Sequence, residues 1–241
     1  MMKFEGKNAV FELLNSKLTI EKIMVQDKVS DLKIREIVSL AKDKGIRIDW
    51  VNKLVLDKNS ETGHHQGVIG FATEFQYSDV LELINKSEPG NRIFLMLDGV
   101  LDPHNVGSVL RIADCFNLTG VILPKNRSAT VNETVIRVSA GASAYVPVAK
   151  VTNLVATIKE LKEKGFWVYA ADMDGEVLSQ VNLTGDVCFV IGAEGDGVSK
   201  LVKQESDGVV RIPMSGHVNS LNASVSAGIV CYEAIRQRAN K

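Results

Sequence analysis

Three short polar loops hold the residues of this chain whose types and spacing could do chemistry. The first is Asp98–Phe116, DGVLDPHNVGSVLRIADCF. Asp102-Pro103 favours a turn, and Asn105 is placed to cap a helix beginning near Val106. Gly107 lets a backbone or ligand come close, and Arg111 follows inside the same helix. Taken alone, this is equally a capped helix with one surface arginine. The second loop is Gly192–Leu201, GAEGDGVSKL. Its glycines Gly192, Gly195 and Gly197 bracket Glu194 and Asp196. A dinucleotide fingerprint would follow the first strand and carry its acidic residue further on. Two carboxylates inside this loop would repel a pyrophosphate and suit a cationic or hydroxyl-bearing ligand. The third loop lies within Ile212–Ile229, IPMSGHVNSLNASVSAGI. Asn219, Ser220, Asn222 and Ser224 offer donors and acceptors without net charge, and helix-start amides add more donors. That chemistry reads a neutral shape such as an adenine edge or a ribose.

Other polar residues are less decisive. His64, His65, His104 and His217 have no ligand spacing with Cys or acidic partners, so no metal is expected. Gly6, Lys7 and Asn8 stand at a helix start, where amides can hold a phosphate; an ordinary capped helix explains them equally well. Lys125, Arg127 and Arg137 flank a polar segment and form either a local basic patch or a solvated face.

The loops need elements to position them. Strand and helix patterns alternate along the chain. Lys22–Gln26, Ile46–Val51 and Gly67–Ala72 read as strands, and Ser30–Lys44 as a helix stopped by Gly45. Residues 1–75 therefore form a small α/β domain. Tyr77–Arg92 has a short helix pattern and a Pro-Gly-Asn turn, and residues 76–92 read as a linker. From residue 93 to 241 the pattern is strand Ile93–Leu97, helix Val106–Phe116, strand Gly120–Leu123, helix Leu154–Lys164, strands Phe166–Ala171, Val187–Ile191 and Val209–Ile212, and helix Ser220–Arg238. Such alternation predicts a parallel sheet with helices on both faces. In open sheets of this class ligands bind at the carboxyl ends of strands. Each of the three loops follows a strand, so together they could build one pocket.

Bulk properties set limits. The chain has 241 residues, 45% hydrophobic and 24% charged, as expected for a soluble globular protein. No apolar run has membrane-spanning length, and MMKFEGKNAVFELL lacks a signal-peptide core. Cys115, Cys188 and Cys231 are odd in number and far apart, two of them in apolar stretches, which favours free buried thiols over disulfides. A cytoplasmic location is the expectation. With 28 Lys+Arg against 29 Asp+Glu the net charge is −1, so any nucleic-acid face must be a local cluster.

In combination the loops are far more specific. N-x-G-x-x-x-R at Asn105, Gly107 and Arg111, I-G-x-E-G-x-G at Ile191–Gly197, and I-P-M-x-G-x-x-x-S-L-N-x-S at Ile212–Ser224 resemble the three motifs of the SPOUT superfamily. The resemblance is to its SpoU-type (TrmH-like) RNA 2′-O-ribose methyltransferases and covers Ile93 to about Arg238. The first domain is similar to the L30e-like substrate-binding domain of the subgroup that methylates guanosine in 23S rRNA. What the resemblance implies is a C-terminal trefoil knot, S-adenosyl-L-methionine as methyl donor, RNA as substrate and a homodimer. It implies adenosine contacts from Gly192, Ile212 and Leu221, with Glu194, Gly195, Ser220 and Asn222 in the same pocket. It places Asn105 and Arg111 at the target nucleotide, with Glu194, Asn222 and Ser224 completing the catalytic set. A similar H-Q-G stretch in the family's substrate domain points to RNA contact by His65 and Gln66, beside Lys7 and Asn8. Arginine cannot readily give up a proton, so a phosphate clamp suits Arg111 better than a general base. The rRNA guanosine reading stands beside a tRNA alternative. A non-catalytic RNA-binding or ribosome-assembly protein is disfavoured by Arg111 and the full set of loops. A dinucleotide-dependent oxidoreductase is disfavoured by the missing early G-x-G-x-x-G.

Overall fold

In the computed structural model, residues 1–16, 18–73, 75–217 and 220–239 are described. Asn219, named above in the third loop, lies outside them. The elements run β1 (Met2–Glu5), α1 (Lys7–Asn15), β2 (Ile20–Gln26), α2 (Leu32–Asp43), β3 (Arg47–Val51), α3 (Lys53–Asn59), β4 (Val68–Ala72), α4 (Val80–Lys86), β5 (Ile93–Asp98) and α5 (Pro103–Cys115). They continue with β6 (Gly120–Pro124), α6 (Glu133–Val138), β7 (Val148–Val151), α7 (Leu154–Glu163), β8 (Trp167–Val177), β9 (Val187–Gly192), α8 (Lys200–Glu205), β10 (Gly208–Arg211) and α9 (Ala223–Ala239).

The chain divides into two units. The first comprises Met1–Gln76 together with Val131–Tyr145. Its sheet has the order β1-β4-β2-β3. β4 pairs antiparallel with β1 and β2, while β2 and β3 are parallel. Short polar side chains start α2 and α3: Asp31 accepts from the amide of Ile34, and Asn52 from that of Val55. Such N-caps satisfy amides that the helix itself leaves without partners. Glu5 is the other local organiser. Burial pushes its carboxyl up, but hydrogen bonds from the Glu61 amide and the Ser60 and Thr62 hydroxyls outweigh this and hold it at about 2. One carboxylate thereby fixes the loop leading into His64 and His65.

The second unit comprises Tyr77–Thr130 and Val146–Lys241. Its six strands are ordered β10-β8-β9-β5-β6-β7 and all pair in parallel. The chain begins at β5, moves outward through β6 and β7, then returns to the other side of β5 for β9, β8 and β10. The sheet therefore reverses direction between β5 and β9. Ile93–Leu97 and Val187–Ile191 are completely buried runs, as expected of strands covered on both faces.

Two boundaries differ from the sequence reading. Residues 76–92 are not a free linker: Val80 and Ile84 of α4 pack into the core with Phe94, Met96 and Phe166, and the Ser78 amide donates to the carbonyl of Val148. An i,i+4 apolar pair was enough to bind this short helix to the sheet. Residues 131–145 lie in the second half of the chain yet group with the first unit. Periodicity describes an element's own face and not its partner.

A buried ion pair closes the amino end of the second sheet. Arg92 donates from Nη2 to Asp186 Oδ2 at 2.6 Å, and both side chains are only 8% exposed. The amides of Gly90 and Arg92 also donate to Asp186, and Arg92 lies over the Phe166 ring. Burial raises the Asp186 carboxyl, but Arg92 and the two amides outweigh it and hold it low. The stabilisation is therefore present above the ordinary carboxylate range and lost as pH falls through the depressed value. Asp186→Ala, which leaves a buried guanidinium unpaired, is expected to lower stability by about 3–5 kcal/mol in urea unfolding; a loss below about 1 kcal/mol would contradict this role.

Candidate active site

The carboxyl ends of β8, β9 and β10 surround a cavity of about 330 Å³. This is where an open α/β sheet binds ligands, next to the point at which strand order reverses. Its floor is the turn after β9. Gly197 donates back to the Ala193 carbonyl at 3.0 Å, and Gly195 and Gly197 adopt φ of +91° and +68°. A Cβ on Gly192 would stand 2.0 Å from the carbonyl carbon of Gly197. Only glycine allows the loop to fold back this closely. Ile212, Met214, Ser220 and Leu221 form the opposite wall.

Three side chains tie the loops together. Asn105 Nδ2 donates to Glu194 Oε1 at 3.0 Å. Asn222 Nδ2 donates to the same oxygen at 2.6 Å and to Asn105 Oδ1 at 2.8 Å. The result is a closed ring of three hydrogen bonds, with one residue from each loop. Asn222 also caps α9, its Oδ1 accepting from the amides of Ser224 and Val225 and from the Ser224 hydroxyl. This is why α9 starts at Ala223 and not at Ser220. Asn105 does not cap α5. Asp102 does so, accepting from the His104 amide at 2.9 Å, and proline sits in the first turn, where its missing N–H is not needed. Asn105 is instead buried at 6% exposure, turned toward Glu194.

Of the residues expected in the cofactor pocket, Gly192, Glu194, Gly195, Ile212, Ser220 and Leu221 line the cavity. Asn222 does not; it stands behind Glu194 and holds it. Ser224 faces the cap of α9. Arg111 is exposed on α5, outside the cavity lining. The first unit departs further from expectation. His65 is 4% exposed. Its Nε2 meets Asp57 Oδ1 at 2.9 Å and its Nδ1 accepts from the Gly67 amide, so it is a buried support for its loop. Gln66 Oε1 accepts from the Lys7 amide at 3.1 Å, and Lys7 pairs with Asp31 at 2.9 Å. Asn8 is exposed.

The sequence reading missed one wall. Ala171, Asp172, Met173 and Asp174 also line the cavity. β8 overruns its neighbours, and its pairing with β10 jumps between Val209 and Val210. Asp172 pairs with Lys203 of α8 at 2.6 Å. The signal was ADMDG directly after a strong strand; attention to strand ends applied to β8 would have found it. Cys188 and Cys231 are buried, and burial raises both thiols. Among the described residues no cluster of three or more metal-ligating side chains occurs.

The lining suits an adenosyl sulfonium compound. It combines apolar side chains for a flat ring, a glycine-walled floor that allows backbone contact, and four carboxylates (Asp172, Asp174, Glu194 and Asp196) against one lysine. Such a wall favours a cation. Fold and site together define an α/β enzyme that binds a nucleoside-type ligand at the switch point of a parallel sheet.

Comparison with known proteins narrows the class. Residues 92–232 match the SpoU rRNA Methylase family, and residues 4–78 match the RNA 2′-O ribose methyltransferase substrate-binding family. A Staphylococcus haemolyticus protein assigned to the TrmH family of tRNA/rRNA methyltransferases is 43% identical over 237 residues, covering 97% of this chain and 94% of that protein. The AdoMet-bound rRNA methyltransferase of Sinorhizobium meliloti superposes with a TM-score of 0.76 at 23% identity, covering 98% of this chain and 87% of that one. The TrmH/SpoU tRNA modifying enzyme of A. aeolicus gives 0.57 at 29% identity, covering 66% and 81%. The chain belongs to the SpoU/TrmH family of RNA methyltransferases, which use S-adenosyl-L-methionine.

Asn222→Ala removes the helix cap and two bonds of the ring. It is expected to lower stability by about 1 kcal/mol and to weaken S-adenosyl-L-methionine binding measured by calorimetry. An unchanged melting temperature together with unchanged affinity would remove Asn222 from this role.

Proposed function

We propose that this protein transfers a methyl group from S-adenosyl-L-methionine to a ribose 2′-oxygen of RNA, that its target is a guanosine of 23S rRNA, and that it works as a homodimer. The observation that carries the reaction is the convergence of three loops, through the Asn105–Glu194–Asn222 ring, on one cavity at the strand ends. The match of residues 4–78 to a 2′-O ribose methyltransferase substrate-binding family supports the 2′-oxygen as acceptor. Coverage supports rRNA: the rRNA methyltransferase matches nearly the whole chain and the tRNA-modifying enzyme only two thirds of it. Return of the chain from edge strand β10 to α9, which packs against α5 and β9, supports a knotted carboxyl-terminal region. Val225 and Tyr232 are exposed seven positions apart on α9, and this apolar stripe supports a paired surface. Sedimentation is expected to give twice the 26.3 kDa chain mass; a monomer at micromolar concentration would contradict the dimer.

The cofactor supplies an electrophilic methyl on a cationic sulfur. Ile212, Leu221 and the backbone at Gly192 would hold its adenosine. The carboxylates of Glu194, Asp172 and Asp174 favour the cationic donor over the neutral thioether product, so their attraction serves capture and release more than the barrier. The 2′-oxygen takes the methyl as the carbon–sulfur bond breaks, the thioether leaves neutral, and the hydroxyl proton passes to bulk solvent; rate enhancement then rests on placing the 2′-oxygen in line and shielding the methyl from attack by water. Arg111 would clamp the phosphate beside the target ribose with two parallel hydrogen bonds.

Arg111→Ala is expected to cut methyl transfer more than tenfold, about 1.4 kcal/mol of barrier, with cofactor affinity intact. Retained turnover above a tenth of wild type would contradict a catalytic Arg111. Mass spectrometry of rRNA and tRNA from cells lacking the gene should show one lost 2′-O-methylguanosine in 23S rRNA. A mark lost from tRNA would move the substrate, and no lost mark would overturn the reading.

A further inference from the structure

The loop after β6 is unused by the site described so far. Its backbone is pinned at both ends: the Lys125 amide donates to the carbonyl of Val151 at 2.8 Å, and the Ala129 amide to that of Val100 at 3.0 Å. Between these anchors Arg127 adopts a φ of +55°. A long side chain is uncommon in this left-handed region, which favours Gly and Asn. The preceding residue is Asn126, better suited to that conformation, yet the strained position holds an arginine. The Arg127 side chain is exposed, and among the described residues no hydrogen bond or ion pair engages its guanidinium. Nothing among the described residues uses it, so no contact there repays the strain. Residues kept in such conformations cluster at functional sites.

Topology says where this arginine stands. All six strands are parallel, so the loops after β5 and β6 leave the same edge of the sheet as the cavity. β5 lies between β9, on the cavity side, and β6. The Val100 carbonyl that anchors Ala129 belongs to the loop feeding α5, which carries Asn105 and Arg111. The first polar loop is therefore flanked by the cavity on one side and by Arg127 on the other. A nucleic-acid strand whose ribose reached the cavity past α5 would bring its neighbouring backbone toward the β6 loop.

We propose that Arg127 is a second phosphate clamp: it binds a phosphodiester of the substrate RNA next to the one held by Arg111, and the rigid, strained loop presets its position. This rests on the RNA methyltransferase reading. An arginine fork matches phosphate geometry, and its placement before binding spares ordering entropy when RNA arrives.

The test uses the full-length protein, tritiated S-adenosyl-L-methionine and total RNA from cells lacking the gene. Arg127→Gly relieves the backbone strain while removing the charge. The expected result is an equal or higher melting temperature, unchanged cofactor affinity, and a rise of about tenfold in KM for RNA. Filter binding of the same RNA should lose about one unit of salt dependence in log K against log salt. Arg127→Lys, which keeps the charge without the fork, should fall between. Wild-type labelling with an unchanged KM and salt slope in Arg127→Gly overturns this inference alone. A variant that melts lower and loses cofactor affinity shows a structural role and also overturns it. Absence of any labelling by wild type overturns the methyltransferase reading, and this inference with it.

Discussion

The candidate active site depends on one constraint: a carboxylate and two amides from three distant parts of the chain must meet. Glu194 Oε1 accepts from both Asn105 and Asn222, and Asn222 also donates to Asn105. Each amide in the ring uses its donor and acceptor on a definite partner, so the arrangement has a direction and cannot slide. A carboxylate that accepts two hydrogen bonds is held more firmly than one against a single partner, because charge-assisted bonds are the stronger kind. Since Asn222 caps α9 as well, the ring fixes where the last helix begins. Ser220 and Leu221, directly before that cap, are thereby held at the cavity wall.

This constraint can be met only because the sheet brings the strand ends together. β5 and β9 are adjacent, which puts the start of α5 beside the turn holding Glu194. The turn then folds back so tightly that Gly192 has no room for a side chain. At the opposite end of the sheet the Arg92–Asp186 pair closes the strand starts with a buried charge pair and two amides. One end is fixed by a salt bridge buried for structure. The other is left open and polar, with a surplus of carboxylates for a cationic ligand.

Much of this was legible in the residues. Uninterrupted apolar runs such as IFLML and VCFVI identified central parallel strands, and the polar loops after two of the strands lie at the cavity. Asn105, Glu194 and Asn222 were all singled out, but their mutual bonding was not, since spacing along a chain carries no information about which loop ends face each other. Asparagine before an apolar helix usually caps it, which is what the position of Asn105 predicts; Asp102, three residues earlier, takes that place. His65 looked available in a polar stretch, yet its ring is buried between Asp57 and the Gly67 amide. The grouping of residues 131–145 with the first unit, and the packing of α4 into the second, depend on tertiary partners that local periodicity does not encode. Short elements such as β7 and α8 offer too few residues for any period to show.

The central claim is that the three loops act as one cooperative site through the hydrogen-bond ring. A double-mutant cycle on Asn105→Ala and Asn222→Ala, read as S-adenosyl-L-methionine affinity by calorimetry, tests it most directly. Because either substitution opens the same ring, the double variant should lose little more affinity than one single variant, with an interaction energy of about 1 kcal/mol or more. Strictly additive losses would contradict the ring as a single unit.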